Sequence, residues 1–95
     1  MNHYPFLTVN NTGEVVTYSA MVNEMFNVFV EKSADDNSAS IIFEVTHADI
    51  KLVESVNYAE TEIKKWESNI AELREPLLAL ARDKANFEKS QEANN

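Results

Sequence analysis

Few residues in this chain have the types and spacing that chemistry requires. Glu44, His47 and Asp49 lie close together and combine carboxylate and imidazole groups, the donors that hold divalent metals. Their spacing matches no zinc pattern, and Glu44 falls in a strand-like run. Asp35-Asp36 and the Glu60/Glu62 pair could supply paired carboxylates. General acid–base work needs a pocket that shifts one pKa away from the other, and no such pocket is legible around them. Asp35-Asp36 sits in the polar run SADDNSAS, while Glu60 stands four residues before Lys64 and Glu62 three before Lys65, the spacing of ion pairs on a helix. No serine occupies a G-x-S-x-G elbow. A phosphate loop needs several glycines, and Gly13 is the only one. There is no cysteine, so disulfides and thiolate metal sites are excluded. The expectation is a protein with no catalytic residues, no metal and no cofactor.

Charge is more informative. Sixteen acids face eight bases over 95 residues, a formal net charge of −8. Residues 1–45 carry Glu14, Glu24, Glu31, Asp35, Asp36 and Glu44 against Lys32 alone. Phosphate contacts need clustered Lys and Arg, so direct nucleic-acid binding is disfavoured. Opposite fields steer encounter, so these six carboxylates are the candidate partner-binding surface, and a basic protein surface is the expected partner. No apolar run is long enough to span a membrane, and the MNHYPFLTV start lacks a basic flank followed by a long apolar core. A cytoplasmic location is expected.

The elements that position these groups read as one small α+β domain in β-β-α-β-α order, with a three-stranded antiparallel sheet. Tyr4 to Val9 and Val15 to Tyr18 are β-rich, and Asn10-Asn11-Thr12-Gly13 between them suits a hairpin turn in which Gly13 takes a positive φ. From Ser19 to Lys32 the apolar residues Tyr18, Met21, Val22, Met25, Phe26 and Phe29 recur at three and four, which predicts a short helix capped by Ser19. Phe26, Val28 and Val30 also alternate as in a strand, but the adjacent pairs Met21-Val22 and Met25-Phe26 suit a helix better. The methionine-rich stripe could line an adaptable groove, and at helical spacing it reads more simply as core. Ile41 to Val45 is the strongest strand.

Residues 48–90 predict one long amphipathic helix started by Thr46, with residues 91–95 a disordered tail. Leu52, Val56, Ala59, Ile63, Trp66, Ile70, Leu73, Leu77 and Leu80 follow a four-three rhythm that Phe87 rejoins. Such a helix would span about 60 Å, against a globule about 32 Å across. The overhang predicts a dimer interface at Leu52, Val56, Ile63, Trp66, Ile70, Leu73, Leu77 and Leu80. Parallel pairing sets Glu62 against Glu67, whereas antiparallel pairing near Ile70 sets Glu67 against Arg74 twice. Pro76 removes a backbone donor and crowds the Glu72 carbonyl, so a kink is expected there, or a helical hairpin. The heptad keeps its phase across the proline, which favours the kink.

These residues point to a protein that works by contact. In composition the chain resembles the small acidic proteins that viruses use against host defence, such as anti-CRISPR or anti-restriction proteins. That resemblance implies an inhibitor that occupies a basic groove of a nucleic-acid-handling complex in the host cytoplasm. The other reading is a structural or adaptor protein working through its coiled-coil helix.

Overall fold

A computed structural model of the chain describes residues 2–33 and 38–93. Five strands come first: β1 Tyr4–Val9, β2 Glu14–Tyr18, β3 Phe26–Lys32, β4 Ala39–Val45 and β5 Ile50–Val56. Two helices follow, α1 Glu60–Glu72 and α2 Arg74–Ala93. The strands form one antiparallel sheet in the order β1-β2-β3-β4-β5, each beside its neighbour in sequence. The α+β class is as expected. The three-stranded sheet with an inserted short helix is not, and both errors have local causes.

The first lies between β2 and β3. Ser19 does not cap a helix. Its hydroxyl accepts the Asn27 N–H at 2.9 Å, and its own N–H donates to the Asn27 carbonyl at 3.0 Å. Val22 and Met25 exchange backbone hydrogen bonds of 2.8 and 3.1 Å across Asn23 and Glu24, whose φ angles are 53° and 65°. Two consecutive left-handed residues make the tight turn that matches strand twist. Glycine usually occupies one of these places, so Asn-Glu conceals the turn. The chain then continues as β3, and Phe26, Val28 and Val30 point into the core.

The second lies at residues 46–56. The Thr46 hydroxyl accepts N–H donors from Ala48 at 3.2 Å and Asp49 at 3.0 Å, as a helix cap would. The Thr46 N–H also donates to the Asp49 carbonyl at 2.9 Å, which turns the chain back into β5. Threonine offers the same bonds to a turn as to a helix start. β5 pairs with β4 through a bulge in which Val53 is the extra residue. Leu52 and Val56 therefore lie on a strand, and Ala59 is the N-cap of α1, where Glu62 reaches back to its N–H at 3.4 Å.

The helical part is interrupted at Leu73, which sits at φ −96° and ψ 5°. Pro76 cannot donate to the Glu72 carbonyl and its ring crowds it, so α1 ends at Glu72. As third residue of α2, Pro76 falls in a first turn, where a helix lacks internal partners for its N–H groups anyway.

Both helices lie on one face of the sheet. That face carries the rows Leu7–Val16–Val30–Ile41, Tyr4–Tyr18–Val28–Phe43–Leu52 and Phe26–Val45–Ile50. Ile70, Leu77, Leu78 and Ala81 are buried against it, and Ile63, Trp66, Leu73 and Leu80 pack at its margin. The expected dimer stripe thus meets the chain's own sheet. Five strands offer a wider apolar face than three, and the break at Leu73 lets the stripe follow it. Of the helical stripe only Phe87 remains well exposed, at 52%. Among the described residues no helix is long and apolar enough to cross a membrane.

Candidate protein-binding face

The sequence grouped Glu14 with the surface acids, but alternation along β2 turns it inward with Val16 and Tyr18. It is 8% exposed. One carboxylate oxygen accepts the Tyr58 hydroxyl at 2.6 Å and the Trp66 indole N–H at 2.9 Å. The other accepts the Thr12 hydroxyl at 2.7 Å. Burial alone would raise the Glu14 pKa. The bonds from Tyr58, Thr12 and Trp66, with the charge of Lys32 nearby, overcome that and hold the carboxyl below its ordinary value of 4.5. The Tyr58 hydroxyl is pushed well above the usual tyrosine range by burial and then by Glu14. Glu14 is therefore an ionised acceptor with its donors in place, clasping β2 to the start of α1. It is a structural anchor and not part of a docking surface.

Two of the other candidate acids, Glu31 and Glu44, lie on the sheet face away from the helices. Antiparallel register sets out three rows on it: Thr8–Val15–Glu31–Ser40–Val56, then Pro5–Thr17–Phe29–Ile42–Glu54, then Asn27–Glu44–Lys51. Phe29 lies beneath the ring of His3, which stacks on it with centroids 3.8 Å apart and planes 14° apart. Thr17 lies between Pro5 and Phe29, and its hydroxyl is buried without a hydrogen-bond partner among the described residues. Val15 is 40% exposed and Val56 44%. The uncovered apolar groups are thus Val15 and Val56, both in the row of Glu31, and the half-buried Ile42 in the central row beside Phe29, which is 8% exposed beneath His3; Glu31, Glu44 and Glu54 are set among them. Lys51 is the only lysine or arginine in these rows.

The other sequence candidates fall elsewhere. Glu24 is at the β2–β3 turn, 3.9 Å from the Arg82 guanidinium of α2. Asp35 and Asp36 lie outside the described residues. Leu52 is on the helix-facing side of edge strand β5, beyond the cover of α1. His47 and Asp49 are in the exposed β4–β5 turn. Among the described residues no group of three or more His, Asp or Glu is placed to hold a metal ion. An open groove of about 550 Å³ runs between the β2–β3 turn and α2, lined by both signs of charge from Glu24, Arg82, Glu88 and Lys89.

No family model, no curated protein and no solved structure matches the chain. Sequence reasoning found Glu31 and Glu44 but missed Val15, Phe29, Ile42 and Glu54. The signal was present in the runs Val28-Phe29-Val30 and Ile41-Ile42-Phe43. A strand with one wet face alternates, whereas an unbroken apolar run puts apolar groups on both faces.

Proposed function

We propose that this chain is a non-catalytic interaction protein that inhibits or regulates a nucleic-acid-handling complex by occupying a basic surface on it. The observation that carries the reading is the open sheet face, where the exposed Val15 and Val56 and the half-buried Ile42 stand among Glu31, Glu44 and Glu54 with a single lysine. Apolar groups without cover favour burial, and the carboxylates select a partner of opposite charge and repel phosphates. The formal charge of −8 adds a long-range field of the same sign. Compositional likeness to anti-CRISPR and anti-restriction inhibitors is consistent with a viral origin and with action in the host cytoplasm. A coiled-coil adaptor has less support, because the heptad stripe is occupied by the chain's own sheet.

The experiment is a pull-down from host extract at low and high salt, comparing the wild type with the triple charge reversal E31K/E44K/E54K. The reading expects a captured nucleic-acid-binding protein that added salt releases, that duplex DNA displaces, and that the triple variant fails to capture. Capture that is indifferent to both salt and the triple substitution would refute it.

A further inference from the structure

We infer that the open sheet face seats an amphipathic helix of the partner, one whose apolar stripe is flanked on both sides by Lys or Arg. This rests on the docking role given to that face above and adds the form and chemistry of its occupant. Ile42 is half-buried in the central row beside Phe29, which is 8% exposed and capped by the His3 ring, while Val15 on β2 and Val56 on β5 stand one row over, in the row of Glu31. The apolar band therefore crosses four strands, about 14 Å at the usual strand spacing. That is the reach of about three helical turns. Glu31 and Glu44 stand in the two outer rows, displaced by four residues along the strands and by one strand across them. Their Cα atoms are thus about 14 Å apart, slightly more than the 10–12 Å diameter of a helix with its side chains. A helix laid over Phe29 and Ile42 has Glu31 on one flank and Glu44 on the other, where Lys51 pairs with Glu44 in register, and Glu54 stands at the β5 edge. The chain covers the opposite face of the same sheet with helices of its own, and a partner helix would complete a three-layer arrangement.

Charge decides between occupants. A second copy of this face would bring Glu31, Glu44 and Glu54 against themselves, and nucleic acid would bring phosphates against them. A basic helix satisfies the carboxylates and covers Val15, Ile42 and Val56 together. His3 remains stacked on Phe29 and forms part of the floor.

The test uses the full chain and a synthetic capped peptide of about 18 residues with a leucine stripe at i, i+3, i+4 and i+7 and lysine on both flanks. A scrambled peptide of identical composition, with no stripe on any face, separates shape from charge. Expected are saturable binding by fluorescence anisotropy, a gain in peptide helicity by circular dichroism, and backbone NMR shifts confined to β2–β5 residues of the open face. Affinity should fall by about tenfold or more with the scrambled peptide, with Ile42→Glu and with E31K/E44K, while V22E at the β2–β3 turn leaves it unchanged. Circular dichroism of each variant alone confirms that it is folded. Equal binding of the scrambled peptide, or shifts mapping to the groove beside α2, would overturn the proposal. If host capture is lost in the triple reversal but the striped peptide shows no advantage, the occupant is wrong and the docking face stands. If host capture survives that reversal, the face itself is wrong.

Discussion

Removing the Glu14 carboxylate tests the internal anchor that ties sheet to helix. In Glu14→Ala the Tyr58 hydroxyl and the Trp66 indole N–H both lose their acceptor, and the Thr12 hydroxyl loses its bond to the carboxylate. A hydrogen bond to a charged group contributes about 1.5–3 kcal/mol, and a donor left unpaired in a half-buried site costs about 1–3 kcal/mol. The three losses are not additive, because Tyr58 and Trp66 can turn toward water at the sheet margin. A net destabilisation of about 3 kcal/mol follows. Glu14→Gln keeps one carbonyl oxygen for Tyr58 and Trp66, and its amide can donate to the Thr12 hydroxyl, so it should lose about 1 kcal/mol. Urea unfolding followed by fluorescence of Trp66, the single tryptophan, measures both. The pH dependence carries the sign. The Glu14 pKa is lowered on folding, so its contribution is complete above the ordinary value of 4.5 and is lost as pH falls through the folded-state value. Wild type should therefore lose stability below about pH 4.5 more steeply than Glu14→Gln. A loss under about 0.5 kcal/mol in Glu14→Ala, or parallel pH profiles for wild type and Glu14→Gln, would refute the anchor.

Leu77→Ala and Ile70→Ala each empty a fully buried site beneath the helices and should cost about 2–5 kcal/mol in urea unfolding. Glu24→Gly relieves a left-handed residue but gives up an exposed ion pair with Arg82, and should raise stability by about 0.5 kcal/mol by the same measurement. Gly13→Ala meets no atom within 4 Å, so only the backbone at φ 77° resists it, at about 1 kcal/mol. Light scattering over a concentration series should give the monomer mass for the wild type, because Ile63 to Leu80 pack within the chain; a dimer abolished by Leu73→Glu in a folded variant would restore the coiled-coil reading.

The parts of the fold that sequence made legible were those where one pattern fitted and its competitor did not. The β1–β2 hairpin announced itself through Asn-Asn-Thr-Gly, and Gly13 takes the expected positive φ. Residues 41–45 are β-branched and aromatic throughout and lie within β4. At 19–32 two periods overlapped, and the deciding feature, a pair of left-handed residues at Asn23-Glu24, carries no glycine to mark it. At 50–56 the heptad phase of Leu52 and Val56 was coincidental, since the bulge at Val53 moves them to opposite faces of a strand. The Glu14 clasp joins residues 52 positions apart, and nothing local to Glu14 foretells Trp66. Glu31 and Glu44 share a face only because β3 and β4 pair in the observed register, a relation that charge counting along the chain does not contain.

The strictly sequential strand order has a kinetic consequence. Each strand finds its mate across the nearest turn, so the sheet grows from short-range closures with small entropic penalties, and no crossover must wait for a distant segment. The long-distance closures are left to the helices, as when α2 reaches back to the first strand through the Glu88 carboxylate and the Tyr4 hydroxyl. Until that late docking, the apolar underside of the meander stands bare to water. Nascent chains of this protein are then most vulnerable to clumping in the interval before residues 60–93 arrive.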